Sequence, residues 1–199
     1  MRVLFIASYA ESLINFRGEL LKEISKRDHQ VFAAAPDLIF DKRMKKELNN
    51  MGIKCYSLKL KRSSMNIFNE LRSIYEIYKV IRSCKPELIC SYTIKPNIYT
   101  GIILTLKGLF IRNTNIIFNP MITGLGSGFI DKKATIKKKL LQFLLKSLYK
   151  FAFKDAKTII FQNPDDMNFF KDHKLINKSS SAVRVWGSGV NLKKFKPIP

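Results

Sequence analysis

The chain has 199 residues, with 36 Lys or Arg against 15 Asp or Glu, a formal charge of +21. That length suits one domain with an ample core, and a 46% apolar share is too high for a disordered chain. The charge bears on partners rather than on fold. Nucleic acid, an anionic membrane surface and phosphorylated substrates are its candidate partners, beside a plain lysine bias spread over solvated faces.

Cys55, Cys84 and Cys90 form no Cys-x-x-Cys pair and leave an odd thiol. They read as reduced residues of a cytosolic protein, not as a disulfide framework or a metal site. Residues 2–8 enter apolar sequence without the layout of a signal peptide. The longest apolar stretch, 98–111, is interrupted by Lys107 and falls short of the about 20 residues a spanning helix needs. The expected location is cytoplasmic, peripheral on the inner face of the cell membrane.

In chain order, Val3-Leu4-Phe5-Ile6-Ala7 has the pattern of a buried strand, and Phe16, Leu20, Leu21 and Ile24 follow at helical spacing. Val31 to Ala35 is a second strand, residues 42–46 a short basic helix, and Ile53 to Leu58 a third strand. Asn66 is placed to cap a helix whose stripe runs Ile67, Phe68, Leu71, Ile74, Tyr75, Tyr78, Ile81. Leu88 to Ser91 is a strand, and Pro96 suits the first position of a helix that Gly108 would end. Asn115 to Phe118 is a strand leading into a glycine-rich turn. A long helix over about residues 135–153 precedes strand Thr158 to Phe161, a short helix near 165–171, and strand Ala182 to Val185. Strands with continuous apolar runs alternating with helices predict an α/β, doubly wound, mostly parallel sheet with helices on both faces, a Rossmann-like domain.

In such sheets ligands bind beyond the carboxyl ends of the strands. The segment after the first strand, residues 8–17, holds no glycine, which argues against an ordinary dinucleotide site. Glycines come instead at Thr123-Gly124-Leu125-Gly126-Ser127-Gly128, a candidate nest for an anion or a sugar hydroxyl. Lys59 to Ser64 and Thr93 to Asn97 bring cations and polar groups to the same edge. His29 lies at the opposite edge, and His173 has no second histidine or cysteine placed to hold a metal. No serine stands in a Gly-x-Ser-x-Gly elbow, so hydrolase and metalloenzyme readings lack residues. No cofactor is expected.

The long helix carries Lys137, Lys138, Lys139, Lys146 and Lys150 against a stripe of Leu140, Leu141, Leu144, Leu145, Leu148, Phe151 and Ala152, with Phe143 on the cationic side. Such a helix either faces a core or lies on a membrane surface. With Lys42, Arg43, Lys45 and Lys46 added, these lysines and arginine form the candidate surface for anionic lipid.

Four segments together resemble one family. Asn15-Phe16-Arg17, the 61–66 stretch Lys-Arg-Ser-Ser-Met-Asn, the Thr123-Gly124-Leu125-Gly126 turn, and the tail from Gly187 to Pro197 with its Gly-Val-Asn and Phe-x-Pro are similar to N-terminal domains of family 4 glycosyltransferases of the GT-B fold. The resemblance is to bacterial enzymes that build capsule, lipopolysaccharide or lipid-linked oligosaccharide, and it spans the whole sequence. It implies retaining transfer from a nucleotide sugar, commonly a UDP-sugar, to a polyprenyl-diphosphate-linked or glycan acceptor at the membrane. It also implies that Thr123, Gly124 and Gly126 face the cleft near the donor, and that Asn15, Arg17, Arg62, Lys95 and Asn97 line the acceptor side. No residue takes a catalytic role on this basis.

The sequence departs from the family pattern in three ways: no paired glycines after the first strand, no histidine after the fifth, and Asn191 where Asp is commoner. The Glu-x7-Glu donor motif of the second domain is also absent. The expectation is therefore a single acceptor-side domain over 1–199, with 187–199 starting an interdomain linker, the donor domain missing, and no activity alone. The rival readings are a non-catalytic membrane or partner-binding subunit of a split transferase and, more remotely, a nucleic-acid-binding protein, for which no recognition signature is found.

Overall fold

The computed structural model describes residues 1–61, 66–106, 115–125 and 135–189. The first half alternates β1 (Arg2–Ile6), α1 (Glu11–Asn15), α2 (Gly18–Lys26), β2 (Gln30–Pro36), α3 (Lys42–Asn50) and β3 (Lys54–Leu58). It continues through α4 (Ile67–Cys84), β4 (Leu88–Ser91), α5 (Ile94–Thr105), β5 (Ile117–Phe118) and β6 (Met121–Ile122). The described part closes with α6 (Ile136–Ala152), β7 (Thr158–Phe161), α7 (Pro164–Asp172) and β8 (Ser181–Arg184).

All described strand pairs are parallel, in the orders β3-β2-β1-β4-β5 and β6-β7-β8. The two sheets meet at Asn119-Pro120. Asn119 N donates to Ile89 O at 2.9 Å, and Lys157 N donates to Phe118 O at 2.8 Å, so the ladder crosses the junction. Pro120 has no N–H to offer, and the strand breaks there into β5 and β6. Tyr92 then pairs with Met121, which carries the β4 edge on to β6.

Each face is covered. Leu13, Leu21 and Leu48 seat α1, α2 and α3 on one side with Val3, Phe5 and Val31. Ile77, Ile103, Tyr149 and Phe170 seat α4, α5, α6 and α7 on the other with Leu4, Ile6 and Ile89. The doubly wound α/β expectation is met. Aromatic edges lock the second layer, with Tyr149 and Phe170 at 5.1 Å and Phe161 and Phe170 at 5.3 Å.

Asn66 caps α4 as expected, its side chain accepting from Phe68 N at 2.9 Å. Three readings are corrected. The helix over Phe16 to Ile24 is broken at Phe16-Arg17, where α1 ends and α2 begins. Pro96 is the third residue of α5 rather than the first, still inside the turn whose N–H groups have no partner in the helix. Gly108, the expected end of that helix, lies outside the described residues.

The third correction concerns the apolar stripes of α4 and α6. Ile67, Phe68, Leu71 and Tyr75 are exposed, as are Ile136, Leu140, Phe143 and Leu144. The later turns of both stripes do meet the core: Ile81 with Ile74 and Tyr78 on α4, joined by Ile77, Val80 and Cys84, and Ala152 with Leu145 and Leu148 on α6, joined by Tyr149 and the following Phe153. Length explains it. The 18 residues of α4 span about 27 Å, whereas the five residues of β1 span about 17 Å. Only three residues separate α4 from β4, so its carboxyl end is level with the start of the strands and its first turns overhang their carboxyl ends. The 17 residues of α6 likewise outrun the four of β7.

Candidate functional site: a cleft at the carboxyl edge

The strand order reverses between β2-β1 and β1-β4, so the chain leaves β1 and β4 toward opposite faces and opens a crevice beyond their ends. A cavity of about 360 Å³ lies there, within the range of small-molecule sites. Its walls come from four strand exits: Ser8 and Tyr9 after β1, Tyr92 and Thr93 after β4, Thr123 after β6, and Gln162 after β7. Ser12, Phe16 and Arg17 close it from the α1–α2 side, and Ser188 from beyond β8.

Hydrogen bonds fix this wall. Tyr92 OH and Ser12 Oγ lie 3.0 Å apart, and Ser12 Oγ also donates to the Tyr9 carbonyl. These bonds close the glycine-free turn after β1. Thr93 has φ 72° and ψ 160°, a conformation that strains a β-branched residue by about 1–3 kcal/mol. It is held by Thr93 Oγ1 donating to Ser8 Oγ at 2.8 Å and by Tyr92 N donating to Ile6 O at 3.1 Å. Thr93 then starts α5 with no side-chain cap and no acidic residue in the first turn. The positive end of α5 therefore opens at the same wall.

Arg17 dominates the electrostatics. It is 3% exposed, and its guanidinium lies 5.0 Å from the Tyr92 ring centre. Nη1 donates to Phe16 O at 3.1 Å and to Ser188 Oγ at 2.7 Å, while Nε is buried without a partner. Among the described residues no carboxylate pairs with it. Burial lowers its pKa, partly countered by Tyr92 and Cys90. A guanidinium still does not deprotonate near neutrality, so the cleft keeps a full positive charge. Burial likewise pushes the Tyr92 phenol up to about 12, against the opposing pull of Ser12 and Arg17.

The other expected residues fall in several places. Thr123 shares the cavity with Arg17. Gly124 is exposed at φ 146°, a backbone that disfavours a side chain, with open space where a Cβ would stand. Asn15 is exposed at the end of α1 and does not line the cavity. Lys95 is paired with Glu70 at 2.8 Å and donates to the Lys61 carbonyl at 2.8 Å, tying α5 to α4. Asn97 is fully buried, accepting from Ser91 Oγ at 2.6 Å and donating to Met121 O at 2.9 Å. Arg62 and Gly126 lie outside the described residues.

Tyr92, Ser12, Gln162 and Ser188 were not singled out in the sequence. Their only sequence signal is position, since Tyr92 and Gln162 each follow a strand directly.

The basic candidates divide between the two faces. Lys42, Arg43, Lys45 and Lys46 are exposed on α3, on the α1–α3 side. Lys137 and Lys139 are exposed on the overhanging start of α6, beside its outward apolar residues. Lys138 belongs to the same turn, but its side chain is outside the described set. Lys146 lies 5.4 Å from the Phe169 ring, and Lys150 lines a groove with Lys154, Lys174 and Lys178 at the far end of α6. No described helix is long and apolar enough to cross a membrane, and no described group of His, Cys, Asp or Glu is arranged to hold a metal.

The profile of the family described as "Glycosyl transferase 4-like" matches residues 2–163. The chain belongs to that family. A curated relative from Campylobacter jejuni subsp. jejuni serotype O:2, N,N'-diacetylbacillosaminyl-diphospho-undecaprenol alpha-1,3-N-acetylgalactosaminyltransferase, is 31% identical over 198 residues, covering 100% of this chain and 49% of its own length. The chain thus spans about half the length of the curated relative it matches.

Solved structures share the fold of this glycosyl transferase 4-like chain. Sucrose-phosphate synthase from Thermosynechococcus elongatus aligns with a TM-score of 0.63 at 11% identity, over 100% of this chain and 51% of that one. Anabaena Alr3699/HepE, solved with UDP and glucose, aligns at 0.60 and 12% identity, over 100% and 47%. UDP-GlcNAc 2-epimerase from Neisseria meningitidis, bound to UDP-GlcNAc, aligns at 0.59 and 13%, over 94% and 47%. At such identities the likeness concerns architecture, and an epimerase among the neighbours shows that one fold serves several chemistries.

Proposed function

We propose that the chain is the acceptor-side half of a glycosyltransferase that moves a sugar from a nucleotide sugar, UDP-linked, to a polyprenyl-diphosphate-linked acceptor in cell-envelope glycan synthesis. The observation that carries this reading is the shared edge. The cleft around Arg17 and Thr123 opens at the same end of the sheet at which α4 and α6 overhang with exposed apolar side chains. A lipid-borne acceptor needs that neighbourhood, with an apolar surface for the lipid and a positive cleft for its diphosphate. Membership of the family supports the transferase, and the relative's name supplies a diphospho-undecaprenol acceptor as precedent.

In this reading residues 1–199 form one acceptor-side unit, with 187–199 as the start of a linker to a donor-side unit. Thr123 and Gly124 serve the donor and Arg17 serves the acceptor, whereas Asn15 stands outside the cavity. Lys95 and Asn97 act indirectly, by holding α5 against α4 and β6. The basic residues of α3 and α6 draw the unit to the cytoplasmic face of the membrane, where attraction amounts to about 1 kcal/mol per lysine or arginine near an anionic surface.

Flotation with liposomes tests the membrane part. The chain is expected to bind phosphatidylglycerol-containing vesicles, to leave phosphatidylcholine vesicles free, and to be released as salt rises. Absence of binding to anionic vesicles would overturn it. The two-unit part predicts no sugar transfer by the 199 residues alone, and robust transfer would overturn that.

A further inference from the structure

Five N–H groups must find partners on any buried guanidinium, and Arg17 spends only those of Nη1. That nitrogen holds both described bonds, to Phe16 O and Ser188 Oγ, while Nε is buried without a partner among the described residues. Nε and Nη2 form one edge of the planar fork, the edge that takes two oxygens of one phosphoryl or carboxylate group side by side. A buried cation with no carboxylate beside it costs several kcal/mol, and a fold that keeps one at the wall of a cavity has left room for an anion.

We infer that Arg17 is the receptor for a phosphoryl group of a diphosphate in this cavity, its Nε–Nη2 edge gripping two oxygens of that group. This rests on the reading of the cavity as the substrate cleft and names the chemistry that it recognises. The rest of the wall agrees. The uncapped start of α5 at Thr93 adds the positive end of a 12-residue helix. Ser8 and Thr123 offer hydroxyls, and among the described residues no acidic side chain lines the cavity. The Tyr92 ring beneath the guanidinium and the Ser188 anchor hold the fork at the wall. A carboxylate ligand would satisfy one edge as well, but the helix end and the two hydroxyls suit a group with more acceptor oxygens. Both a nucleotide sugar and a polyprenyl-linked acceptor carry a diphosphate, and Arg17 recognises the chemistry they share.

The test follows the Arg17 Nε–H resonance by NMR in the unaltered chain while inorganic pyrophosphate is added at about 0.15 M salt, where distant surface charges are screened. A saturable shift of that resonance is expected. Arg17→Gln is expected to weaken pyrophosphate binding roughly tenfold or more, since it removes a charge-assisted bidentate pair. Lys178→Ala, an equal loss of charge on the groove beyond α6, is expected to leave it unchanged. UDP and geranyl diphosphate then separate the two sources. Tighter binding of UDP than of pyrophosphate assigns the site to the donor, tighter binding of geranyl diphosphate assigns it to the acceptor, and equal affinities make the diphosphate alone the determinant. An Nε–H resonance unmoved at saturating pyrophosphate, or an Arg17→Gln variant that matches Lys178→Ala, overturns the inference. If Arg17→Gln does not fold, the unaltered chain's resonance still decides. Failure of liposome binding with the Arg17 shift intact would count against the membrane reading alone.

Discussion

Asn97 donates its side-chain amide to the Met121 carbonyl at 2.9 Å while its carbonyl oxygen accepts from Ser91 Oγ at 2.6 Å. One buried side chain thus ties α5 to the end of β4 and to β6, two of the four strands whose exits shape the cleft. Asn97→Ala would leave the Ser91 hydroxyl and the Met121 carbonyl without partners. The expected loss is about 3 kcal/mol of folding stability, from two orphaned groups at about 1–3 kcal/mol each. A lower urea midpoint with an unchanged slope checks it. An unchanged midpoint with weakened ligand binding would instead make Asn97 a direct ligand contact.

The approach of α5 to α6 sets a second expectation. A Cβ on Gly101 would stand 2.6 Å from the Ala152 Cβ and closer still to the Ala152 carbonyl oxygen. Gly→Ala inside a helix ordinarily gains about 1 kcal/mol, but here backbone stands in the way and overpacking costs about 1–3 kcal/mol. Gly101→Ala should therefore destabilise on balance, read as a lower thermal midpoint. A raised midpoint would show that the two helices separate freely.

The overhanging end of α6 offers a test with little effect on folding. Phe143 is 68% exposed and Ile136 is 87% exposed, so neither contributes much to the core. Burying a Phe side chain in an apolar phase is worth about 1.5–3 kcal/mol. Phe143→Ser should cut partitioning into anionic vesicles roughly tenfold or more, with the urea midpoint unchanged. Lys137→Glu should weaken binding chiefly at low salt, because its contribution is screened. Equal partitioning of both variants and the parent would remove α6 from the docking surface.

Alkaline pH probes the interior. Burial pushes the Cys84 and Cys90 thiols and the Tyr92 phenol up to about 12, from ordinary values of 9.0 and 10.0. Above about pH 9 the unfolded chain has lost protons that the folded chain retains, so the unfolding free energy falls as pH rises. The stability tied to these groups is fully present below the unfolded values and is lost progressively up to about pH 12, at about 1.4 kcal/mol per pH unit for each group titrating. Urea midpoints measured at about pH 8 and about pH 10.5 should differ in that direction. Alkylation of Cys84 and Cys90 should proceed only as the chain unfolds.

Strand and helix identity was legible because apolar periodicity follows from backbone geometry alone. Leu88 to Ser91 and Thr158 to Phe161 are strands with the expected limits, and Asn66 announces α4 through a bond that reaches only two residues ahead. The stripes of α4 and α6 hold in their later turns and fail in their first turns, because periodicity states which residues share a face, not whether a sheet extends far enough to cover it. Arg17 and Thr123 stand among the site residues by family resemblance, whereas Tyr92 carries no local pattern and Ser188 lies within the tail motif without a role attached to it.

The sequence by itself determined a basic, doubly wound α/β unit with its loops collected at one edge, since local interactions and the covering of apolar faces require nothing distant. Folding alone reveals that, among the described residues, Arg17 is sealed without a counter-ion against Tyr92 and Ser188, that Lys95 is spent on Glu70, and that Asn97 is spent on Ser91 and Met121. The physical reason is that a side chain's charge and hydrogen bonds are settled by neighbours brought in from far along the chain, 171 residues away in the case of Arg17 and Ser188.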